Sequence, residues 1–221
     1  MKSKLSQSDN KNYCKVYLLR HGETEWNIKD ITQGQSESLL AEVGIKQAEE
    51  AAEKLKKVDF HAIFSSDLYR ALKTAEIVNS DRKLSIQTSP LLRERSYGIF
   101  EGQHASVFKN TLKDKLKERA PLQGNEYLSF ELAPFIETDE RVVGRLIQKI
   151  QEITTTHPNK TVLVVTHGGC IKNFLVKIGY TGGKSLPEGS FKHGGYVKLQ
   201  SDGVNFIVEE AEGIIKPENY R

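Results

Sequence analysis

The sequence has little of what marks several large classes of protein. Its 221 residues include only two cysteines, Cys14 and Cys170, too few for a disulfide framework or a cysteine-based zinc site. Seventeen glycines and six prolines are too few for a collagen-like or low-complexity chain. The longest strongly apolar run, 161–166, is far shorter than the roughly 20 residues of a bilayer-spanning helix. A net charge of +3 is too small an excess to indicate a nucleic-acid-binding protein.

The chain does have the composition of an ordinary globular protein. Hydrophobic residues make up 38% and charged residues 28% of it, which is enough apolar material for a sizeable core. We predict a single domain over residues 14–221. Residues 1–13 are polar and lack the apolar centre of a secretory signal, so we predict a flexible N-terminal arm on a cytoplasmic protein. We expect neither a nucleic acid nor a membrane as partner, and the sequence leaves open whether the protein is a monomer or a homodimer.

Short apolar runs alternate with amphipathic segments along the chain. The runs predict strands at 15–19, 60–64 and 161–165, and helical spacing of apolar residues predicts helices at 42–57, 67–78 and 141–153. A hairpin is predicted from 196–199 and 204–208, around Asp202-Gly203. Residues 81–102 are rich in turn signals, and residues 104–135 are charged and irregular. This alternation predicts an α/β fold with a mostly parallel sheet and antiparallel edge strands.

Two of the predicted strands end in histidine followed by glycine. The first ends in Arg20-His21-Gly22, and the last buried one ends in Thr166 to Gly169, read as THGG. Because parallel strands point their carboxyl ends the same way, we expect both imidazoles in one crevice, where the glycines let a substrate approach the backbone. Arg20 and Arg70 add planar cations that suit phosphate oxygens. The two histidines and the two arginines together predict a phosphoryl-binding site. Taken alone, Arg70 could equally well form a salt bridge on the surface of a helix.

Four ordered blocks resemble the signature of the histidine phosphatase superfamily, branch 1, the group of cofactor-dependent phosphoglycerate mutases and fructose-2,6-bisphosphatases. The blocks are LRHGETEWN at 19–27, SSDLYRALKTA at 65–75, LRERSYGIFEG at 92–102 and THGG at 166–169, and the resemblance covers about residues 15–210. It implies a three-layer α/β/α sandwich like that of phosphoglycerate mutase. The third block, with QGQ before it, looks more like the fructose-2,6-bisphosphatase-like and broad-phosphatase members.

The resemblance implies a role for each matching residue. His21 would be the nucleophile that accepts the phosphoryl group, and Glu94 would protonate the leaving oxygen and then help water attack the phosphohistidine. The other matching residues would bind phosphate or stabilise the transition state, with Gln33 in a loop that closes over the substrate: Arg20, Asn27, Gln33, Arg70, His167 and Gly168. By residue type alone, Glu101 rivals Glu94 as the acid.

Elementary chemistry is consistent with these roles. A nucleophilic imidazole must be neutral at the attacking nitrogen, so the other nitrogen is expected to donate to a backbone carbonyl. Arginines nearby disfavour the imidazolium form. Phosphoryl transfer depends on positioning and charge stabilisation, and here fixed cations would do what Mg²⁺ does in other enzymes. We therefore expect no metal and no cofactor.

The segment at about 103–135 is predicted to be a cap that sets substrate specificity. It is shorter than the corresponding insertion of the family's mutases, and Arg119 is its single arginine. Net hydrolysis of a small phosphorylated metabolite is therefore favoured over a cofactor-dependent phosphoglycerate mutase and over a non-catalytic, phosphate-dependent scaffold. The cations Arg93, Arg95 and Lys109 would suit an acidic or bisphosphorylated substrate such as fructose 2,6-bisphosphate, or they are solvated loop charges.

Some positions depart from the family pattern or only resemble other motifs. Glu37, Leu39 and Ala41 stand where the family has an aspartate, a proline and a helix cap, which predicts a more mobile loop and an uncapped helix. Glycine, lysine and serine at 182–185 do not make a nucleotide-binding P-loop, because Ile178 occupies the first glycine position. Four further histidines are expected to be surface or core residues: His61, His104, His157 and His193.

Overall fold

The computed structural model describes residues 12–187 and 189–215, so nearly all of the predicted arm at 1–13 lies outside the described residues. A six-stranded sheet forms the centre, in the order β3-β2-β4-β1-β5-β6. Its strands are β1 Cys14–Arg20, β2 Ala62–Ser66, β3 Ile86–Ser89, β4 Thr161–Thr166, β5 Phe191–Ser201 and β6 Phe206–Ile214. The first four strands of that order are parallel, and β5 and β6 join as an antiparallel hairpin. The predicted topology is confirmed.

Helices cover both faces of the sheet and one of its edges. They are α1 Glu25–Ile28, α2 Glu42–Leu55, α3 Tyr69–Val78, α4 Ala105–Thr111, α5 Lys113–Arg119, α6 Gly124–Ser129, α7 Asp139–Thr156 and α8 Gly168–Lys177. None of the described helices is long and apolar enough to cross a membrane.

Strand β1 shows why the sheet needs a helical layer on each side. Val16 and Leu18 pack into one apolar cluster with residues of α7 and α8, whereas Tyr17 and Leu19 pack into another with residues of α2 and α3. Alternate side chains of a strand point to opposite faces, so an apolar run can be buried only between two layers. The three-layer α/β/α sandwich is therefore confirmed.

Two elements differ from the sequence prediction. β3 lies inside the segment that was predicted as turns, and it pairs with β2 through Ile63 opposite Ile86. Its exposed edge position gives no apolar alternation that would mark it in the sequence. Helix α8 begins at two glycines, which are poor helix formers, and is stabilised by burial of residues such as Ile171 and Phe174.

Residues 105–129 form three short helices, of which α4 and α5 pack on a small apolar cluster of their own. Phe100, Leu112, Leu132 and Ile136 are its buried members, and they are separate from both clusters on the sheet. Helix α6 instead packs through Leu128 against Val143 of α7 and Val176 of α8. The three helices together form a wall over the carboxyl edge of the sheet.

Candidate active site

The two histidine–glycine motifs end neighbouring strands. β1 and β4 are parallel, with Arg20 opposite Thr166, so His21 and His167 follow at adjacent positions. Their ring centroids lie 5.0 Å apart. This confirms that the two imidazoles meet at one edge of the sheet.

A cavity of about 410 Å³ opens at this edge, between the strand ends and helices α4, α5 and α6. Seven of the eight predicted site residues line it: Arg20, His21, Asn27, Gln33, Arg70, Glu94 and Gly168. The eighth, His167, is fully buried against His21 and does not belong to the lining. Tertiary structure thus brings together residues that the sequence spreads over about 150 positions.

His21 is held as a neutral imidazole. Its Nδ1 lies 2.7 Å from the carbonyl oxygen of Gly22, and because a carbonyl only accepts, the proton must be on Nδ1. Nε2 then keeps its lone pair. Burial, followed by the positive charges of Arg70 and Arg20, holds the pKa of His21 well below 6.5. The nucleophilic form therefore persists when the pH falls through 6.5.

His167 is also neutral. Its Nε2 hydrogen-bonds the Ser66 hydroxyl at 2.9 Å, which links the end of β4 to the end of β2. Burial and then the charge of Arg70 lower the pKa of His167 well below its usual value. The ring packs against His21 and supports it from the side of the core.

Arg20 is oriented by strand β5. One guanidinium nitrogen, Nη1, donates to the Phe191 carbonyl, and Nη2 lies 2.6 Å from Nε2 of His193. Since a guanidinium only donates, His193 accepts and must be neutral; burial and Arg20 lower its pKa to about 3. The sequence analysis, which placed His193 only as a surface or core residue, did not find this contact with Arg20. No local motif marks it, because the antiparallel pairing of β5 with β1 is what brings it to the site.

Arg70 is buried in the site and does not form a surface salt bridge. Only 1% of it is exposed, and it donates to the carbonyl oxygens of Gly34 at 2.6 Å and Ser36 at 2.9 Å. Its Nε is buried with no hydrogen-bond partner among the described residues. This N–H is a donor for which a phosphate oxygen would be a natural partner.

Asn27 and Gln33 present their amides to the cavity. The Asn27 Oδ1 accepts from the backbone N–H of Thr24 at 3.1 Å and from its hydroxyl at 3.0 Å, forming a capping box for α1. The amide NH₂ is therefore the end of Asn27 that can donate to phosphate. Gln33 keeps a buried Oε1 with no hydrogen-bond partner among the described residues.

Hydrogen bonds anchor the loop that contains Glu37, one of the residues that depart from the family pattern. The Ser36 hydroxyl donates to Glu101 at 2.7 Å, and the Glu37 carboxylate accepts from the Tyr69 N–H, at the start of α3, at 3.0 Å. Ala41 makes no side-chain cap on α2, as predicted. Glu37, which also departs from the family pattern, caps α3 instead. The mobility of the loop stays a prediction.

Glu94 and Glu101 occupy different places. Glu94 lines the cavity, and its carboxylate accepts from the backbone N–H of Gly169 at 3.0 Å and of Arg95 at 2.9 Å. Glu101 lies outside the lining, where it accepts from the Tyr97 N–H at 2.9 Å and from Ser36. Only Glu94 is positioned to exchange a proton with a substrate, whereas Glu101 holds the loop.

The motif glycines let parts of the protein itself approach one another, and two of them, Gly168 and Gly169, also line the cavity. A Cβ on Gly22 would collide with the backbone of Gly44 in α2, and one on Gly169 would collide with the Glu94 carboxylate. A Cβ on Gly168 would lie 2.8 Å from Nε of Arg20. A side chain at Gly168 or Gly169 would therefore push against Arg20 or Glu94, and one at Gly22 would push against the backbone of α2.

Arg145 of α7, which the sequence analysis did not single out, clamps the segment that carries Glu94. It donates to the carbonyl oxygens of Leu91 at 3.1 Å, Arg93 and Glu94 at 2.9 Å. Its Nε also binds Glu137 at 2.8 Å, and Glu137 exchanges hydrogen bonds with the backbone of Ser96. The guanidinium fork therefore fixes the backbone on both sides of the Glu94 side chain.

Arg145→Lys should weaken catalysis by misplacing Glu94. Lysine keeps the charge but loses the fork, and a displacement of about 1 Å can cost about 100-fold. We expect kcat on an alkyl phosphate to fall by up to about 100-fold with KM little changed. Steady-state kinetics would measure this, with Arg141→Lys, on the exposed face of the same helix, as control. A loss of thermal stability at unchanged kcat would show that Arg145 is merely structural.

The additional predicted cations separate into two groups. Arg93 forms a double hydrogen bond with Asp67, at 2.7 and 2.6 Å, and does not line the cavity. Of the two alternatives left open for Arg93, a substrate contact and a solvated loop charge, the first does not fit this position, since the charge is paired with Asp67. Arg95 and Lys109 do line the cavity. Among the lining residues, two are anionic, Asp30 and Glu94, and six are cationic: Arg20, Arg70, Arg95, Lys109, Arg119 and Lys172.

A cavity with fixed cations, a neutral nucleophilic imidazole and a nearby carboxylate defines a phosphoryl-transfer site. Residues 16–211 match the histidine phosphatase superfamily (branch 1). The chain is 36% identical over 163 residues to the uncharacterized phosphatase PhoE of Bacillus subtilis, covering 74% of this chain and 76% of that protein. It is 43% identical over 164 residues to a probable phosphoglycerate mutase, GpmB of Cronobacter sakazakii, covering 73% and 74%.

Among solved structures, Bacillus stearothermophilus YhfR is similar with a TM-score of 0.77 and 30% identity, covering 92% of this chain and 98% of that one. The chain therefore belongs to the histidine phosphatase superfamily. It is an enzyme with phosphatase or mutase-like activity, which confirms what the four sequence blocks implied.

Proposed function

We propose that this enzyme is a metal-independent phosphomonoesterase that hydrolyses a small phosphorylated metabolite through a phosphohistidine on His21. The observation that carries the proposal is the Nδ1 hydrogen bond to the Gly22 carbonyl, which leaves Nε2 as the nucleophile. Glu94 lines the same cavity as the proton donor.

In the first step, the Nε2 lone pair of His21 attacks phosphorus and the ester P–O bond breaks. Glu94 gives its proton to the leaving oxygen, so that an alcohol departs. Arg20 and Arg70 stabilise the charge on the equatorial oxygens, and the Asn27 amide donates to one of them. The imidazole keeps its Nδ1 proton throughout, and the Gly22 carbonyl stabilises the positive charge on the phosphohistidine.

In the second step, the Glu94 carboxylate takes a proton from a water molecule, whose oxygen attacks phosphorus. The P–Nε2 bond breaks and its electron pair returns to His21, which becomes neutral again. Inorganic phosphate leaves. The fixed charges of Arg20 and Arg70 supply the electrostatic stabilisation that a metal ion supplies in other phosphoryl-transfer enzymes.

We also propose that the enzyme acts in the cytoplasm, as a monomer or homodimer. Both cysteines are buried and unpaired, which fits a reducing compartment. The excess of cations in the cavity favours an acidic small molecule, and fructose 2,6-bisphosphate is one candidate.

Phosphorus NMR in the presence of EDTA tests the proposal. One sample would contain fructose 2,6-bisphosphate, and another 3-phosphoglycerate with a trace of 2,3-bisphosphoglycerate. We expect inorganic phosphate from the wild type and none from His21→Ala, because the variant has no acceptor for the phosphoryl group.

Other outcomes would contradict the proposal in different ways. Formation of 2-phosphoglycerate without matching phosphate release would show a mutase. Phosphate release that disappears with EDTA would show a metal-dependent reaction. Equal release by His21→Ala would exclude His21 as nucleophile, and an effect of His21→Ala on partner binding without any turnover in the wild type would favour a scaffold.

A further inference from the structure

Strand β5 bulges where it passes the carboxyl end of β1, and His193 lies in the bulge. β5 pairs with β1 as far as Tyr196 opposite Leu19, and His193 lies three residues beyond that pair. Between Phe191 and Tyr196 the register with β6 shifts, so that a step of five residues along β5 matches a step of two along β6. Bulges beside active sites commonly redirect a side chain. This one carries the residue that contacts Arg20.

Two glycines permit the bulge. Gly194 has a φ of +69°, which favours glycine, and a Cβ there would lie 2.9 Å from the carbonyl oxygen of Gln47 in α2. A Cβ on Gly195 would lie 2.8 Å from the carbonyl oxygen of Glu212 in β6. The backbone that carries the His193 imidazole is therefore held closely on both sides.

Two neutral acceptors hold the Arg20 guanidinium. Its Nη1 donates to the Phe191 carbonyl, and its Nη2 donates to Nε2 of His193 at 2.6 Å. The ring stays a neutral acceptor, since burial and the charge of Arg20 lower the pKa of His193 to about 3. Within the described part of the chain, the arginines that pair with a carboxylate are Arg93, Arg95, Arg119 and Arg145. The partners of Arg20 thus fix its position and leave its charge uncompensated.

The Nε side of the same guanidinium lies at the cavity. Nε of Arg20 is buried and has no hydrogen-bond partner among the described residues. It lies beside Gly168, where a Cβ would approach it to 2.8 Å, and Gly168 lines the cavity that contains His21. Because the guanidinium is planar and both Nη atoms are bound to β5, the Nε–H is kept in place for a phosphoryl oxygen.

We propose that His193 is a positioning residue that fixes the Arg20 guanidinium without neutralising it, so that the full positive charge acts on the phosphoryl group in the transition state. The inference rests on the proposed function, since it requires the phosphoryl group at His21 and Arg20. A carboxylate in place of His193 would hold the guanidinium but compensate its charge. An apolar side chain would leave the charge but not its position. Electrostatic stabilisation of a transition state needs both.

Three substitutions separate position from charge. His193→Gln keeps a neutral acceptor, His193→Glu has the same shape with a negative charge, and His193→Leu has no acceptor. With 4-nitrophenyl phosphate, we expect kcat/KM of His193→Gln to stay within about threefold of the wild type. It should fall by about 10- to 100-fold in His193→Leu and by at least about 10-fold in His193→Glu.

Calorimetric titration with orthovanadate measures the same order without turnover. Orthovanadate adopts the five-coordinate geometry of a phosphoryl group in transfer, and a transition-state analogue should lose affinity in parallel with kcat/KM. The affinity for inorganic phosphate should fall less, because phosphate resembles the ground state. His61→Leu, on the surface, is the matched control and should bind both anions as the wild type does.

The alternatives give different results. Equal losses in all three His193 variants, with lower midpoints of thermal unfolding, would show that His193 only supports the fold and would overturn the proposal. So would a His193→Leu variant as active as the wild type, or a His193→Glu variant as active as His193→Gln. A wild type that releases no phosphate would contradict the proposed function, while the expected order of orthovanadate affinities would still support the positioning role.

Discussion

His21→Asn should lose phosphoryl transfer by about 10⁴-fold or more, the scale on which loss of a nucleophile acts in enzymes that form covalent intermediates. Asparagine has no basic nitrogen to attack phosphorus, while Arg20, Arg70 and Asn27 remain to hold phosphate. We therefore expect phosphate binding to survive when turnover is lost.

Rapid quenching with a phosphorylated substrate, followed by intact mass measurement, checks this. The wild type should carry one phosphoryl group that is labile to acid and stable to base, as expected of a phosphohistidine, and His21→Asn should carry none. His61→Asn, on the surface, is the matched control and should behave as wild type. Labelling that persists in His21→Asn would move the nucleophile to another residue, with His193 the first to examine, because its ring centroid lies 5.8 Å from that of His21.

Glu94→Gln should slow turnover of an alkyl phosphate by about 10²–10⁴-fold, the usual contribution of general acid–base catalysis. Glutamine keeps the shape but cannot give or take the proton. With 4-nitrophenyl phosphate, formation and hydrolysis of the phosphohistidine should differ strongly in rate, because nitrophenolate leaves without being protonated. The first step then stays fast, and hydrolysis of the phosphohistidine, which needs Glu94 as base, becomes slow.

Stopped-flow absorbance would show this as a burst of about one nitrophenolate per enzyme molecule followed by a slow steady rate. Glu101→Gln is the matched control: it should show no burst, because Glu101 lies outside the cavity lining and binds the Tyr97 N–H and Ser36. A burst in Glu101→Gln together with normal turnover in Glu94→Gln would reverse the assignment of the acid.

Much of the fold could be read from the sequence, because burial on both faces leaves a strong local signal. Strands β1 and β4 are buried on both faces over most of their length, and their apolar runs, such as 162–165, are easily recognised. Strand β3 and helix α8 gave weak signals: β3 lies at an exposed sheet edge, and α8 begins with two glycines. In both cases tertiary packing outweighs local propensity.

The site was predictable where its residues lie within the motifs themselves. Arg20, His21 and Gly168 lie at strand ends and Glu94 lies in the segment that follows β3; all four reach the cavity. His193 and Arg145 were missed for a common reason. Each acts on a residue far away in the chain, His193 on Arg20 and Arg145 on Glu94, and no spacing within the sequence records such a contact.

The sequence by itself determined the family, the mostly parallel α/β architecture and nearly all the groups that meet in the cavity, because these depend on residue types next to strand ends. Only the tertiary structure decided how those groups are used. It placed the His21 proton on Nδ1, put Glu94 rather than Glu101 at the cavity, and gave Arg95 and Arg119 one carboxylate to share. Protonation and charge balance depend on distances between atoms from distant segments, and those distances exist only once the chain is folded.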